Sequence, residues 1–202
     1  MTKSQGSRSS QFARDVRELL LASNWHEGRR VDTAVFRSYL QKRGYRVSAA
    51  AKEFLDEFCG LTIVRRRGRQ RSDERFGPQS MLSRACIARG FAFRWLDKRI
   101  PDGTHANTVL EHEVGEDCCY VGSGLSRTHT FVVADGRLLY VNAGWECGIF
   151  YSDLNHFLDV WWIGKGESED VGSIGFDWES YPESLQRVLE NLRDEAEFHW
   201  PP

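Results

Sequence analysis

The sequence predicts an α+β domain in which N-terminal helices pack on a twisted, mostly antiparallel sheet, with further helices toward the C-terminus. Three observations carry this. Apolar residues recur at helical spacing before residue 60, short β-branched and aromatic runs separated by turn residues begin near residue 118, and helical spacing returns after residue 152. At 202 residues, with 41% hydrophobic and 12% aromatic content, the chain can bury a substantial core without disulfides or a metal.

Residues 2–10 are polar and Ser-rich and read as a disordered leader (1–10), leaving 11–164 as the folded domain and 165–202 as an acidic loop and helix packed on it. Phe12, Val16, Leu19 and Leu20 form the stripe of a first helix that ends near Ser23. After a turn over 24–30, Asp32 caps a second helix bearing Val35, Phe36, Tyr39 and Leu40, and Gly44 stops it. Ser48 opens a third, with Phe54, Leu55 and Phe58 on its apolar face and Gly60 at its left-handed exit. A short strand over 61–64 follows.

Arg65, Arg66, Arg67, Arg69 and Arg71 lie in a run without apolar period, so 65–71 reads as an exposed loop reaching about Gly77. Leu82, Cys86, Phe93 and Leu96 suggest a helix after Pro78, and 100–108 reads as a loop. Strands are expected at 118–121, 130–134, 137–142 and 148–151, and the Asp135-Gly136 pair signals a hairpin within an antiparallel meander. Ser152 or Asp153 caps a helix carrying Leu154, Phe157, Leu158, Trp161 and Trp162, closed by Gly164. Residues 165–178 read as a surface loop. Ser180 and Glu183 then form a capping box for a last helix with Leu185, Val188, Leu189 and Leu192.

The net charge of −2 conceals an asymmetry: residues 1–99 hold 22 Lys+Arg and 10 Asp+Glu, residues 100–202 hold 5 and 19. No stretch nears the ~18 apolar residues of a membrane helix, and the start lacks a signal peptide's apolar core, so a soluble cytoplasmic protein without membrane partners is expected. The six histidines are scattered, no C-x-x-C occurs, and phosphate-loop, dinucleotide and nucleophile-elbow motifs are missing, so no metal, cofactor or catalytic residue is assigned. Glu111-His112-Glu113 and Glu116-Asp117 read as solvated carboxylates on a loop.

Two other classes remain open. The arginine run could bind nucleic acid, but the acidic half, the pI of about 6.3 and the lack of interleaved aromatics count against it. A Cys-dependent enzyme would use Cys147 or Cys119 with His129 or His156, whereas buried, reduced thiols are the simpler reading. Of seven tryptophans, Trp25, Trp95, Trp145, Trp161 and Trp162 lie in or beside elements and suit a core, while Trp178 and Trp200 suit partner anchors.

Trp25-x-x-Gly28-Arg29, Asp32, a helix ending at Gly44, and Phe54-Leu55-x-x-Phe58-x-Gly60-Leu61 occur in that order. This pattern resembles the SUKH superfamily of bacterial immunity proteins, in particular its third family, which shows G-W-x-x-G-R and F-L-x-x-F-G-G-L. Asn24 stands where Gly is usual, and Cys59 replaces the first Gly of the pair. A weaker likeness runs on to Gly164. The resemblance implies a protein that binds and blocks a cognate toxin, a nuclease or nucleic-acid deaminase, without catalysis. Its motif residues would be structural. Local charge density suggests Glu167, Glu169, Asp170, Asp177, Glu179, Glu190, Asp194, Glu195 and Glu197 as the partner-binding face, with Trp178 as an anchor because interface hot spots favour Trp.

Overall fold

A computed structural model describes residues 12–42, 44–67, 70–76, 106–124, 128–141, 147–164 and 172–176, together with Glu183 and Gln186. Three helices come first: α1 (Arg14–Ala22), α2 (Ala34–Lys42) and α3 (Ala49–Phe58). Val16 and Leu20 of α1, Phe36 and Leu40 of α2, and Phe54, Leu55 and Phe58 of α3 are buried, which is the apolar stripe that helical spacing dictates.

The helix ends follow from local chemistry. Past α1, the Asn24 N–H reaches the Leu21 carbonyl at 3.1 Å and the Trp25 N–H reaches Leu20 at 3.0 Å, the paired bonds of a Schellman cap. That cap needs a left-handed residue, and Asn24 supplies it with φ +65°. Asn is among the few side chains that tolerate this region, which explains why it can stand in a glycine position. Asp32 accepts the Ala34 N–H at 2.9 Å at the start of α2. Ser48 caps α3 by accepting the Ala51 N–H at 3.1 Å. Gly60, at φ +84°, takes the left-handed position after α3, whereas Cys59 sits at an ordinary φ of −58° and therefore needs no glycine.

Seven strands form one antiparallel sheet in sequence order, a meander: β1 (Thr62–Arg67), β2 (Gln70–Phe76), β3 (Cys118–Gly124), β4 (His129–Val133), β5 (Leu138–Val141), β6 (Cys147–Tyr151) and β7 (Ser173–Gly175). Every residue of β4 and β5 is buried, so the middle of the sheet is covered on both faces. Between them Gly136, at φ +100°, follows a turn closed by its N–H on the Val133 carbonyl at 2.9 Å, and Asp135 accepts the Arg137 N–H at 2.9 Å. Helix α3 packs over β3 and β4, and α4 (Ala106–Val114) lies against β3.

After β6, Asp153 caps α5 (Leu154–Leu158) by accepting the His156 N–H at 2.9 Å. The helix then widens into a π-helical turn (Asp159–Ile163) that ends at Gly164, φ +73°. The wider turn leaves Trp162 buried and Trp161 37% exposed, so Trp161 is not the core residue its spacing suggests. The core joins both halves of the chain, from Val16 and Trp25 to Phe157 and Trp162.

Three expectations are corrected. The presumed Arg65 to Arg71 loop is a hairpin: Arg65 pairs with Ser72, Arg66 with Arg71 and Arg67 with Gln70, with only 68 and 69 between them. β1 is an edge strand, where charged side chains are tolerated and guard the unpaired backbone edge against a further strand. Second, α4 begins inside the expected 100–108 loop and holds Glu111, His112 and Glu113 on a helix. Third, the expected 165–178 loop contains β7, set by pairing of Ile174 with Gly148. The expected helix after Pro78 lies outside the described residues, as does most of the last helix.

Candidate functional site

The turn after α1 and the end of α3 are bound to each other by buried polar contacts. Glu57 is 4% exposed, and its Oε1 accepts the Trp25 Nε1–H at 3.2 Å. A carboxylate that deep requires donors, because an unpaired buried charge is costly. The Arg29 guanidinium donates to the Glu57 and Cys59 carbonyls, the latter at 2.8 Å. It thereby satisfies carbonyls that a helix C-terminus leaves open and sets positive charge where the helix dipole favours it. Val31 N–H adds a bond to the Asp56 carbonyl at 2.8 Å.

Asp56 is held from the other side by Thr33 Oγ1 and Lys52 Nζ. Burial alone would raise its pKa, but these hydrogen bonds and the charges of Lys52 and Arg37 outweigh it and hold the carboxyl below its ordinary value. The Trp25 to Arg29 motif and the Phe54 to Leu61 motif are therefore two sides of one clamp. Gly28, at φ +73°, turns the chain between Trp25 and Arg29. Leu55 and Leu61 of the second motif are buried in the core.

Beside it lies a groove of about 270 Å³. Ala50, Phe54, Glu57 and Phe58 form its α3 wall, Val132 and Gly136 of the β4–β5 hairpin face them, and Asp153, Leu154 and Asn155 close one end with Phe12. Phe12 meets Trp25 edge-on at 5.5 Å and Phe58 at 6.2 Å, so the clamp and the groove share a wall. Asn155 Oδ1 accepts the Ala13 N–H at 2.8 Å and fixes the start of α1 against α5. The groove draws on four separate parts of the chain, and no local spacing announces it.

The Cys–His candidates are placed differently. Cys119 of β3 is buried, and burial together with Glu111 pushes its thiol up to about 12. His129 of β4 is buried too, and burial lowers its pKa to about 3. The register sets Cys119 opposite Val132 and His129 opposite Ser123, so the two are offset along the strands, and neither environment favours a thiolate–imidazolium pair. Cys147 is exposed at the start of β6, whereas the His156 Nδ1 lies 3.3 Å from Ser152 Oγ. Cys59, Cys118, Cys119 and Cys147 are all reduced, and Cys86 lies outside the described residues.

Glu116 and Asp117 are engaged by arginines: Arg137 reaches Glu116 at 3.0 Å, and Arg46 reaches Asp117 at 3.0 Å. Among the described residues no three His, Cys, Asp or Glu side chains converge as a cation site. No helix among them is long and apolar enough to cross a membrane. Glu167, Glu169, Asp170, Asp177, Trp178, Glu179, Glu190, Asp194, Glu195 and Glu197 all lie outside the described residues, as do Trp95, Trp145 and Trp200.

These features define an α+β meander domain braced by an aromatic and arginine clamp, with an acid-lined groove beside it. The chain belongs to the SUKH-3 immunity protein family, whose model it matches over residues 12–159. That span takes in the clamp and every groove residue. No curated protein and no solved structure matches the chain.

Proposed function

We propose that this chain is an immunity protein that binds a cognate bacterial toxin in the cytoplasm and silences it by occlusion, performing no chemistry of its own. Family membership across residues 12–159 is the observation that carries this reading. The buried thiols support it, because a thiol pushed up by burial is a poor nucleophile at neutral pH. The excess of acid after residue 99 supports it as well. An enzyme that grips nucleic acid needs a basic surface, and an acidic partner is steered to that surface and excludes the substrate.

In this reading Glu167, Glu169, Asp170, Asp177, Glu179, Glu190, Asp194, Glu195 and Glu197 make the toxin-facing surface, with Trp178 as its anchor. The test is co-expression with the toxin encoded beside this chain's gene, in cells that the toxin alone arrests. Wild type is expected to restore growth, and a chain with these carboxylates changed to amides is expected to lose most of the protection. Continued arrest with the wild-type chain abundant and soluble would contradict the reading.

A further inference from the structure

We propose that the groove between α3 and the β4–β5 hairpin is a docking site for a guanidinium side chain presented by the protein partner. The proposal rests on the immunity reading for the source of that side chain, while the chemistry of the groove stands on its own geometry.

The volume suits a small occupant. At about 270 Å³ the groove lies at the lower edge of the roughly 300–1,000 Å³ of pockets that enclose small molecules, and it has room for one long side chain. Its charge selects the sign of the occupant: the lining holds two carboxylates, Glu57 and Asp153, and no cation. Glu57 is nearly buried and engages Trp25 Nε1 at 3.2 Å, while the exposed Arg30 comes no closer than 3.6 Å. That separation is an ion pair's, but longer than the roughly 2.7–2.9 Å of a charge-assisted hydrogen bond, so Arg30 offsets part of the charge while the carboxylate keeps acceptor capacity for an incoming guanidinium.

The aromatic lining selects which cation. Phe54 and Phe58 lie 4.9 Å apart at a 45° tilt, and Phe12 stands edge-on to Phe58. Rings beside a carboxylate suit a planar, weakly hydrated guanidinium, which stacks and forms paired hydrogen bonds together; a compact ammonium is more strongly hydrated and offers no flat face. The mouth also lies on rigid elements, since Ala13 is tied to Asn155 and Asp153 caps α5.

The test has two arms. In the first, the full chain is titrated with N-acetyl-arginine amide while backbone amides are followed by NMR, alongside the lysine and glutamine amides. Saturable shifts centred on Phe54, Phe58 and Asn155 are expected, with arginine bound several-fold more tightly than lysine and glutamine causing none. Ala50→Leu, which fills the groove from a helical position, is expected to abolish the response. Asp153→Asn keeps a good helix cap and is expected to weaken it several-fold. An equal response to glutamine, no saturable response, or shifts that depend on chain concentration without probe, as a second copy in the groove would give, overturns the proposal.

In the second arm, Ala50→Leu and Asp153→Asn are carried into the co-expression assay. Loss of protection by variants with unchanged circular dichroism and urea midpoints supports the proposal. Full protection by both overturns it while leaving the immunity reading intact. Failure of wild type to protect overturns the immunity reading, and with it the toxin as the source of the guanidinium; the titration then decides the groove's chemistry alone.

Discussion

Trp25→Ala is expected to destabilise the fold by about 3–5 kcal/mol, the range for deleting a buried aromatic. The indole is 2% exposed, meets Phe12 edge-on, and donates to the buried Glu57 carboxylate. Its loss opens a cavity where α1, α3 and the groove meet and takes a donor from a charge that has left water. Trp25→Phe separates the two effects, since the ring stays and the hydrogen bond goes; about 1–3 kcal/mol is expected for the deprived carboxylate. Urea denaturation of the three chains measures both terms. A Trp25→Phe chain as unstable as Trp25→Ala would show that the bond to Glu57 dominates, whereas a harmless Trp25→Ala would remove the clamp from any account of stability.

The second large effect is a loss of stability in acid. Burial holds the His129 pKa near 3, while the unfolded chain binds a proton near the ordinary value of about 6.5. Below pH 6.5 the unfolded state therefore takes up a proton that the folded state refuses. Stability from this residue is complete above about pH 6.5 and declines as pH falls toward 3, with a slope of up to about 1.4 kcal/mol per pH unit. Asp56 acts in the same direction at lower pH, because its depressed pKa makes the folded state favour the ionised carboxyl. Urea midpoints between pH 8 and 4 are expected to fall steadily below 6.5, and His129→Leu is expected to flatten that decline. A midpoint independent of pH over this range would contradict the burial of a neutral imidazole in β4.

Much of the frame was legible because it is written in local chemistry. Ser48, Gly60, Asp153 and Gly164 each stand where helix termini need an acceptor or a left-handed residue. Asp135-Gly136 marked the central hairpin, and the Trp25 to Leu61 pattern pointed to the family. The β1–β2 hairpin was hidden because the edge strand β1 is defined by its one neighbour, here Thr62 opposite Arg75 of β2, and Arg side chains give no alternating signal. Helix α4 was hidden for a related reason, since it has a weak apolar stripe; among its described side chains Leu110 is buried in the core and Val114 packs partly against it. The π-helical turn adds one residue to a helix whose spacing reads as ordinary.

The clamp and the groove differ in the same way. Trp25, Gly28 and Arg29 were visible as a motif, but that Arg29 binds the Glu57 and Cys59 carbonyls depends on one segment, the end of α3, 28 and 30 residues away, folding back on it. The groove had no sequence signature, because Phe12, Ala50, Gly136 and Asp153 come together only when the helices seat on the sheet.

Occlusion makes a quantitative demand that catalysis does not. A fixed amount of the toxin encoded beside this chain's gene is titrated with purified chain, and residual toxin activity is followed against molar ratio and time. Activity is expected to fall in a straight line to a break at one constant ratio, unchanged by longer incubation, with full activity regained once the two proteins are separated under denaturing conditions and the toxin refolded. Progressive silencing by a small fraction of an equivalent, with the toxin left inactive after separation and refolding, would contradict it.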